Sequence, residues 1–78
     1  MKLKTLTPYQ ERILKLRIIE GKEFSEIAKI VNEPNVKNIS SVFDSIKEKW
    51  KIPKLVDLLT EAYQVYLDEQ KDNKTKEI

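Results

Sequence analysis

The 78-residue chain has no cysteine and no histidine, and only one glycine and three prolines. Without cysteine there are no disulfides or thiolate metal sites, and without histidine the commonest metal ligand and general base is missing. We therefore expect no enzyme, no catalytic residue, no metal and no cofactor. No apolar run near Met1 is long enough for a signal peptide or a membrane span, which predicts a cytoplasmic protein that has no membrane partner.

Chain length and charge limit the remaining classes of fold and function. A chain this short forms one small domain whose marginal core gains from a partner subunit, so dimerisation is expected. Residues 1–54 carry twelve Lys and Arg against seven Asp and Glu, whereas residues 55–78 carry three against six. The basic front half suits a polyanionic partner, although charges that merely solvate a helical surface explain it equally well.

Few helix breakers and no strand-like alternation predict an all-α fold of four helices. Thr7, Pro8 and Gln10 form a capping box with proline in the first helical position, so helix one spans about Pro8 to Glu20 and ends at Gly21. A short second helix follows, with apolar residues in the pattern i, i+3, i+4 and i+7. Its stripe consists of Phe24, Ile27, Ala28 and Val31.

Residues 32–35 predict a tight turn before a longer helix, which is the pattern of a helix-turn-helix. Asn32 tolerates a left-handed conformation, Pro34 cannot continue a helix, and Asn35 caps the third helix, about Val36 to Trp50. The predicted buried stripe of that helix is Ile39, Val42, Phe43, Ile46 and Trp50. The opposite side presents Lys37, Ser41, Asp44 and Glu48, flanked by Ser40, Lys47, Lys51, Asn38, Ser45 and Lys49.

The fourth predicted helix, about residues 54–68, is more apolar than one buried face requires. Its second apolar face is expected to form a dimer interface, with deep insertion into the chain's own core as the alternative. The predicted interface residues are Leu55, Leu59, Ala62, Tyr63 and Tyr66. Residues 1–68 thus form a single domain, and residues 69–78 are a charged tail for which disorder is predicted.

Two helix-turn-helix families share short stretches with this chain. The run from Leu6-Thr7-Pro8 through Glu20-Gly21 to Glu26-Ile27-Ala28 resembles the opening of LuxR/GerE-type domains and of region 4 of bacterial sigma factors, with spacing closer to the sigma type. The segment Ile46–Ile52 is similar to the end of the LuxR/GerE recognition helix, and Leu55–Leu59 is similar to the start of its dimer-forming helix. The chain therefore resembles the LuxR/GerE type over about residues 6–67.

The turn departs from the family pattern. Asn32 stands where the LuxR/GerE turn has glycine, and the turn is one residue longer. If Asn35 takes the position of the family's capping serine, Asn38 and Ile39 match its Thr-Val pair, and Ser40 replaces the basic residue that follows. A second register matches Val36-Lys37-Asn38 to a family Val-Lys-Asn run, but it starts the helix inside the turn, so capping favours the first.

The resemblance implies a small stand-alone transcription regulator that binds double-stranded DNA as a dimer, with its third helix in the major groove. Lys22 and Lys29 are outlying candidates for phosphate contacts, although any single lysine is more simply explained as solvated surface. The candidate DNA-binding residues are Lys37, Asn38, Ser40, Ser41, Ser45, Lys47, Lys49 and Lys51.

Acidic residues on the third helix favour a different class of function. Asp44 and Glu48 would repel phosphates, and the helix has no arginine for the commonest guanine contact. The alternative is a helix-turn-helix fold reused as a protein-interaction module that binds a regulator or an RNA polymerase subunit. A catalytic carboxylate pair is the least favoured interpretation, because an exposed i, i+4 pair without histidine or cysteine is usually solvated.

Overall fold

The computed structural model describes the backbone of residues 2–77 and the side chains of residues 3–70. Within that part of the chain there are four α-helices, a short 3₁₀-helix and no strand, so the predicted all-α class is confirmed. None of the described helices is sufficiently long and apolar to traverse a lipid bilayer. The elements are the 3₁₀-helix Lys2–Thr5, α1 Pro8–Ile18, α2 Phe24–Ile30, α3 Val36–Trp50 and α4 Leu55–Glu77.

The start of α1 is fixed by the capping box that the sequence predicted. The Gln10 backbone N–H donates to the Thr7 hydroxyl oxygen at 3.1 Å, and the Thr7 N–H donates to Gln10 Oε1 at 3.0 Å. The helix ends at Ile18, earlier than the predicted Glu20. The chain already turns back there, because the Lys22 N–H donates to the Leu16 carbonyl at 3.1 Å and Gly21 has a φ of 66°.

The connection between α2 and α3 is a tight turn that ends α2 and starts α3. Asn32 has a φ of 60°, and the Glu33 N–H donates to the Ala28 carbonyl at 2.7 Å. A left-handed residue followed by such a bond is a common helix end, because it gives the last carbonyls of the helix a donor. Asn35 then caps α3, because its Oδ1 accepts from the Lys37 N–H at 3.0 Å. The bounds of α3 are therefore those predicted from the sequence.

The core lies where α3 packs against α1 and α2 and where α4 closes the open side. Phe24 and Phe43 stack with ring centroids 4.9 Å apart, which joins α2 to the middle of α3. The predicted stripe of α3 is buried except at Val42, which is half-buried. The buried apolar side chains are Leu3, Leu6, Ile13, Leu14, Leu16, Ile27, Ala28, Ile39, Phe43, Ile46, Trp50, Leu58 and Ala62.

The N-terminal 3₁₀-helix is an element that the sequence analysis did not predict. It packs against α4 and buries Leu3, and Leu6 is buried directly after it. The indole N–H of Trp50 donates to the Thr5 hydroxyl at 3.0 Å, which supplies the partner that a buried tryptophan needs. Leu3 and Leu6 thus belong to the core.

The fourth helix extends beyond its predicted end near Asp68 and continues to Glu77. No glycine or proline follows Pro53, and the Lys, Glu and Gln residues after Asp68 are good helix formers, so nothing local stops the helix. The side chains of residues 71–78 lie outside the described residues. The disorder predicted for residues 69–78 therefore stays a prediction.

Candidate nucleic-acid interface

The outward surface of α3 consists of residues that the sequence placed opposite its buried stripe. We call this surface the α3 outer face and define it by Lys37, Ser41, Asp44, Ser45 and Glu48, all of which are exposed. The other candidates flank it on both sides: Asn38, Lys49 and Lys51 are exposed, and Ser40 and Lys47 are half-buried. The candidates therefore occupy the outer face of α3 and both of its flanks, not a single stripe.

The first turn of α3 is organised by the carboxylate of Glu33, a residue of the turn. Glu33 Oε1 accepts from the Asn35 backbone N–H at 3.2 Å and from Asn38 Nδ2 at 2.8 Å. A carboxylate there also interacts favourably with the positive end of the helix dipole. The candidate base-reading residue Asn38 is therefore held on one side by an acidic neighbour.

The four lysines of this surface differ in what they contact. Lys47 Nζ lies 3.1 Å from Asp44 Oδ1, and Lys49 Nζ donates to the Thr5 carbonyl at 2.8 Å and to Gln10 Oε1 at 3.3 Å. Lys37 and Lys51 have no side-chain hydrogen bond or ion pair with the described residues. Lys37 and Lys51 thus keep all their donors for a partner, whereas Lys49 ties α3 to the N-terminal segment.

Positive and negative charges on this surface nearly balance. Residues 36–51 carry four lysines against Asp44 and Glu48, and Glu33 adds a carboxylate at the N-terminal end of the helix. Asp44 is offset by Lys47, whereas Glu48 is exposed and has no described partner. Of the outlying candidates, Lys29 is exposed and Lys22 is half-buried.

The candidate dimer residues on α4 do not share one environment. Ala62 has no exposed surface, Leu55 and Leu59 are half-buried against the chain's own core, and Tyr66 is half-buried. Lys15 of α1 lies over the Tyr66 ring, 6.0 Å from its centroid. Among the predicted interface residues only Tyr63 is exposed, at 47%.

A second apolar stripe lies on the solvent side of α4, and we call it the α4 outer stripe. It consists of Val56, Thr60, Tyr63 and Leu67, spaced four, three and four residues apart, as one face of a helix requires. Val56 is 66% exposed and Leu67 36%. One side of α4 therefore inserts into the core, as one of the two alternatives predicted, while another apolar side stays exposed.

Comparisons of the chain with protein-family models, curated proteins and solved structures found no match. Among the described residues, no group of three or more acidic, histidine or cysteine side chains is placed to hold a metal ion.

Sequence reasoning missed Glu33, Val56 and Leu67 as residues of these surfaces. Glu33 precedes the cap by two residues, and an acidic residue there can accept from the cap's own N–H, which is the signal that could have identified it. Val56 and Leu67 share a helical face with Tyr63, but only the packed structure distinguishes that face from the one containing Ala62.

Proposed function

We propose that this chain is a small cytoplasmic DNA-binding transcription regulator that inserts α3 into the major groove and acts as a homodimer. The observation that carries this proposal is the placement of α3: its inner side is held by α1 and α2, while its first turn and outer face are exposed. A recognition helix needs this arrangement, because its N-terminal residues must reach base edges while the rest of the domain stays outside the groove.

Contacts with DNA divide by position along α3. Lys37 and Asn38, in the first turn, reach base edges, since lysine can donate to guanine and asparagine can pair with adenine. Ser41 and Ser45 follow along the groove, and Lys51 contacts phosphate at the far end of the helix. Ser40 and Lys47 supply further phosphate contacts that fix the register without reading sequence, whereas Lys49 holds the N-terminal segment against α3.

Dimerisation uses the α4 outer stripe, centred on Tyr63. Exposed apolar side chains at helical spacing are what a second copy of the same helix can cover around a two-fold axis. Such a dimer presents two recognition helices to half-sites about 34 Å apart. Each half-site then adds its phosphate contacts to those of the other, so the dimer binds more tightly than one domain.

The test is the salt dependence of binding to a library of random duplexes. The native chain should bind at low salt and lose affinity steeply as salt rises, and Lys51→Ala, which removes a phosphate-contacting lysine, should weaken binding and reduce the salt slope by about 1. Lys4→Ala, which removes an exposed lysine outside α3, is the matched control and should leave the slope unchanged. No measurable duplex binding by the native chain at low salt would contradict the proposal.

The acidic groups of the α3 surface support a second candidate function. Glu33, Asp44 and Glu48 would suit a basic protein surface, as in a module that binds a regulator or an RNA polymerase subunit. Glu48→Lys separates the two candidates, because it should tighten duplex binding if DNA is the partner. If the partner is a basic protein surface, the same change should weaken capture of purified RNA polymerase and leave duplex binding absent.

A further inference from the structure

Glu33 is hydrogen-bonded to the side chain of Asn38. Its backbone is anchored at the end of α2, where the Glu33 N–H donates to the Ala28 carbonyl at 2.7 Å. Its Oε1 accepts from Asn38 Nδ2 at 2.8 Å and from the Asn35 N–H at 3.2 Å. The carboxylate is thus fixed by the turn on one side and by the first turn of α3 on the other.

An ionised carboxylate has no hydrogen to donate, whereas the asparagine amide has a donor end and an acceptor end. Only the Nδ2 end can therefore face Glu33 favourably, because Oδ1 in that place would be repelled by the carboxylate. One N–H of Nδ2 is used by Glu33. The other N–H and Oδ1 remain available to a partner. Without Glu33, nothing would select this orientation of the amide over the rotated one.

We propose that Glu33 is a positioning residue that holds Asn38 in the orientation that reads adenine in the major groove. This inference rests on the proposed function. Adenine presents an N6 amino donor beside the N7 acceptor, and the remaining Oδ1 and N–H of Asn38 match that pair. Guanine and cytosine do not offer this pair, and a rotated amide would exchange the acceptor for the donor.

The same carboxylate has an opposite effect on overall affinity. A negative charge at the N-terminal end of α3 repels nearby phosphates, so its removal should tighten binding to duplexes of any sequence. A residue that acts only on stability would not raise affinity while lowering discrimination. Opposite changes in these two quantities are therefore the signature of the positioning role.

The experiment starts from the duplex that the native chain selects from a random library. Dissociation constants are measured for that duplex and for copies in which each adenine in turn is replaced by the unsubstituted purine base, which lacks the 6-amino group of adenine. The native chain should bind one such copy about tenfold more weakly than the selected duplex. Glu33→Gln keeps an acceptor for the Asn35 N–H, but its amide can also donate and so no longer selects one orientation of Asn38. This variant should bind every duplex more tightly and prefer the selected duplex over the substituted copy only about twofold.

Three further variants complete the experiment. Asn38→Ala, at an exposed position, should remove the discrimination, and the double variant Glu33→Gln/Asn38→Ala should discriminate no better than Asn38→Ala alone, since Glu33 acts through Asn38. Glu20→Gln removes an exposed carboxylate from the turn after α1 and is the control for net charge; it should keep the tenfold preference.

The outcomes separate this inference from the proposed function. Full discrimination retained by Glu33→Gln or by Asn38→Ala overturns the inference while duplex binding itself stands. Absence of duplex binding by every variant overturns both. If Glu33→Gln fails to fold, as seen by circular dichroism, Glu33→Asp replaces it: its shorter side chain withdraws the carboxylate from Asn38 Nδ2 and should lower the discrimination, whereas full discrimination retained by that variant overturns the inference.

Discussion

Helices α3 and α4 both carry many apolar residues, but they distribute them differently. On α3 the apolar residues form one main stripe, which is covered by α1 and α2, and the remaining sides are largely polar. On α4, Leu58 and Ala62 are buried while Val56 and Tyr63 are exposed on another side of the helix. The difference indicates that α3 is completed by its own chain, whereas α4 retains apolar surface that a partner could cover.

The two helices also differ in how their ends are defined. Asn35 caps α3 at its start, and Lys51, with a φ of 58°, ends it with the Ile52 N–H donating to the Lys47 carbonyl at 2.9 Å. After Pro53, α4 meets no such stop. Local capping therefore defines both ends of α3, whereas no glycine or proline follows Pro53 to stop α4.

The largest expected effect comes from the covered stripe of α3. Phe43→Ala removes the ring that stacks on Phe24, and it should lower the free energy of unfolding by about 3–5 kcal/mol, a large share of the stability of a small domain. Urea unfolding followed by circular dichroism measures this. Val56→Ala, on the uncovered stripe of α4, should cost far less at concentrations where the chain is monomeric; equal losses would remove the contrast between the two helices.

The next effect concerns the uncovered stripe of α4. Tyr63→Glu places a charge at the centre of the proposed dimer interface, where an unpaired buried charge costs about 3–5 kcal/mol, so it should yield monomers by sedimentation. Gln64→Glu adds the same charge one position along, on another side of the helix, and should leave the mass unchanged. A native chain that already sediments as a monomer would show that the α4 outer stripe does not join two copies.

A smaller effect is expected at the start of α3. Asn35→Ala removes the acceptor of the Lys37 N–H and should lower the free energy of unfolding by about 1 kcal/mol. Asn35→Ser restores a capping oxygen and should recover most of that loss in the same urea titration. Equal stability of the alanine variant and the native chain would mean that the turn, held by Glu33, defines the helix start without the cap.

The smallest effect concerns the ion pair between Asp44 and Lys47. Because the Asp44 side chain is 66% exposed, solvent screens the pair, and its coupling energy should be only about 0.3 kcal/mol. A double-mutant cycle with Asp44→Ala and Lys47→Ala measures it. A coupling above about 1 kcal/mol would show that this pair helps to hold α3 in place, as the residues of its covered side do.

The agreement between sequence and structure is greatest where the interactions are local. Thr7 and Gln10, Asn32, and Asn35 are separated by at most a few residues from the groups they bond, so their roles follow from the order of residues. The bond between Trp50 and Thr5 joins residues far apart in the chain. Nothing in the local sequence predicts that pairing, or the 3₁₀-helix that provides it.

For the candidate site, the sequence alone determined which residues of α3 face outward, because a helical period places Lys37 and Ser41 opposite Ile39 and Phe43. Only the tertiary structure decided which of these groups keep their donors and which are engaged, as Lys49 is by Thr5 and Asn38 by Glu33. It likewise decided that Ala62 is covered and Tyr63 exposed. The physical reason is that periodicity specifies the direction of a side chain, whereas burial and hydrogen bonding depend on the segment that packs beside it.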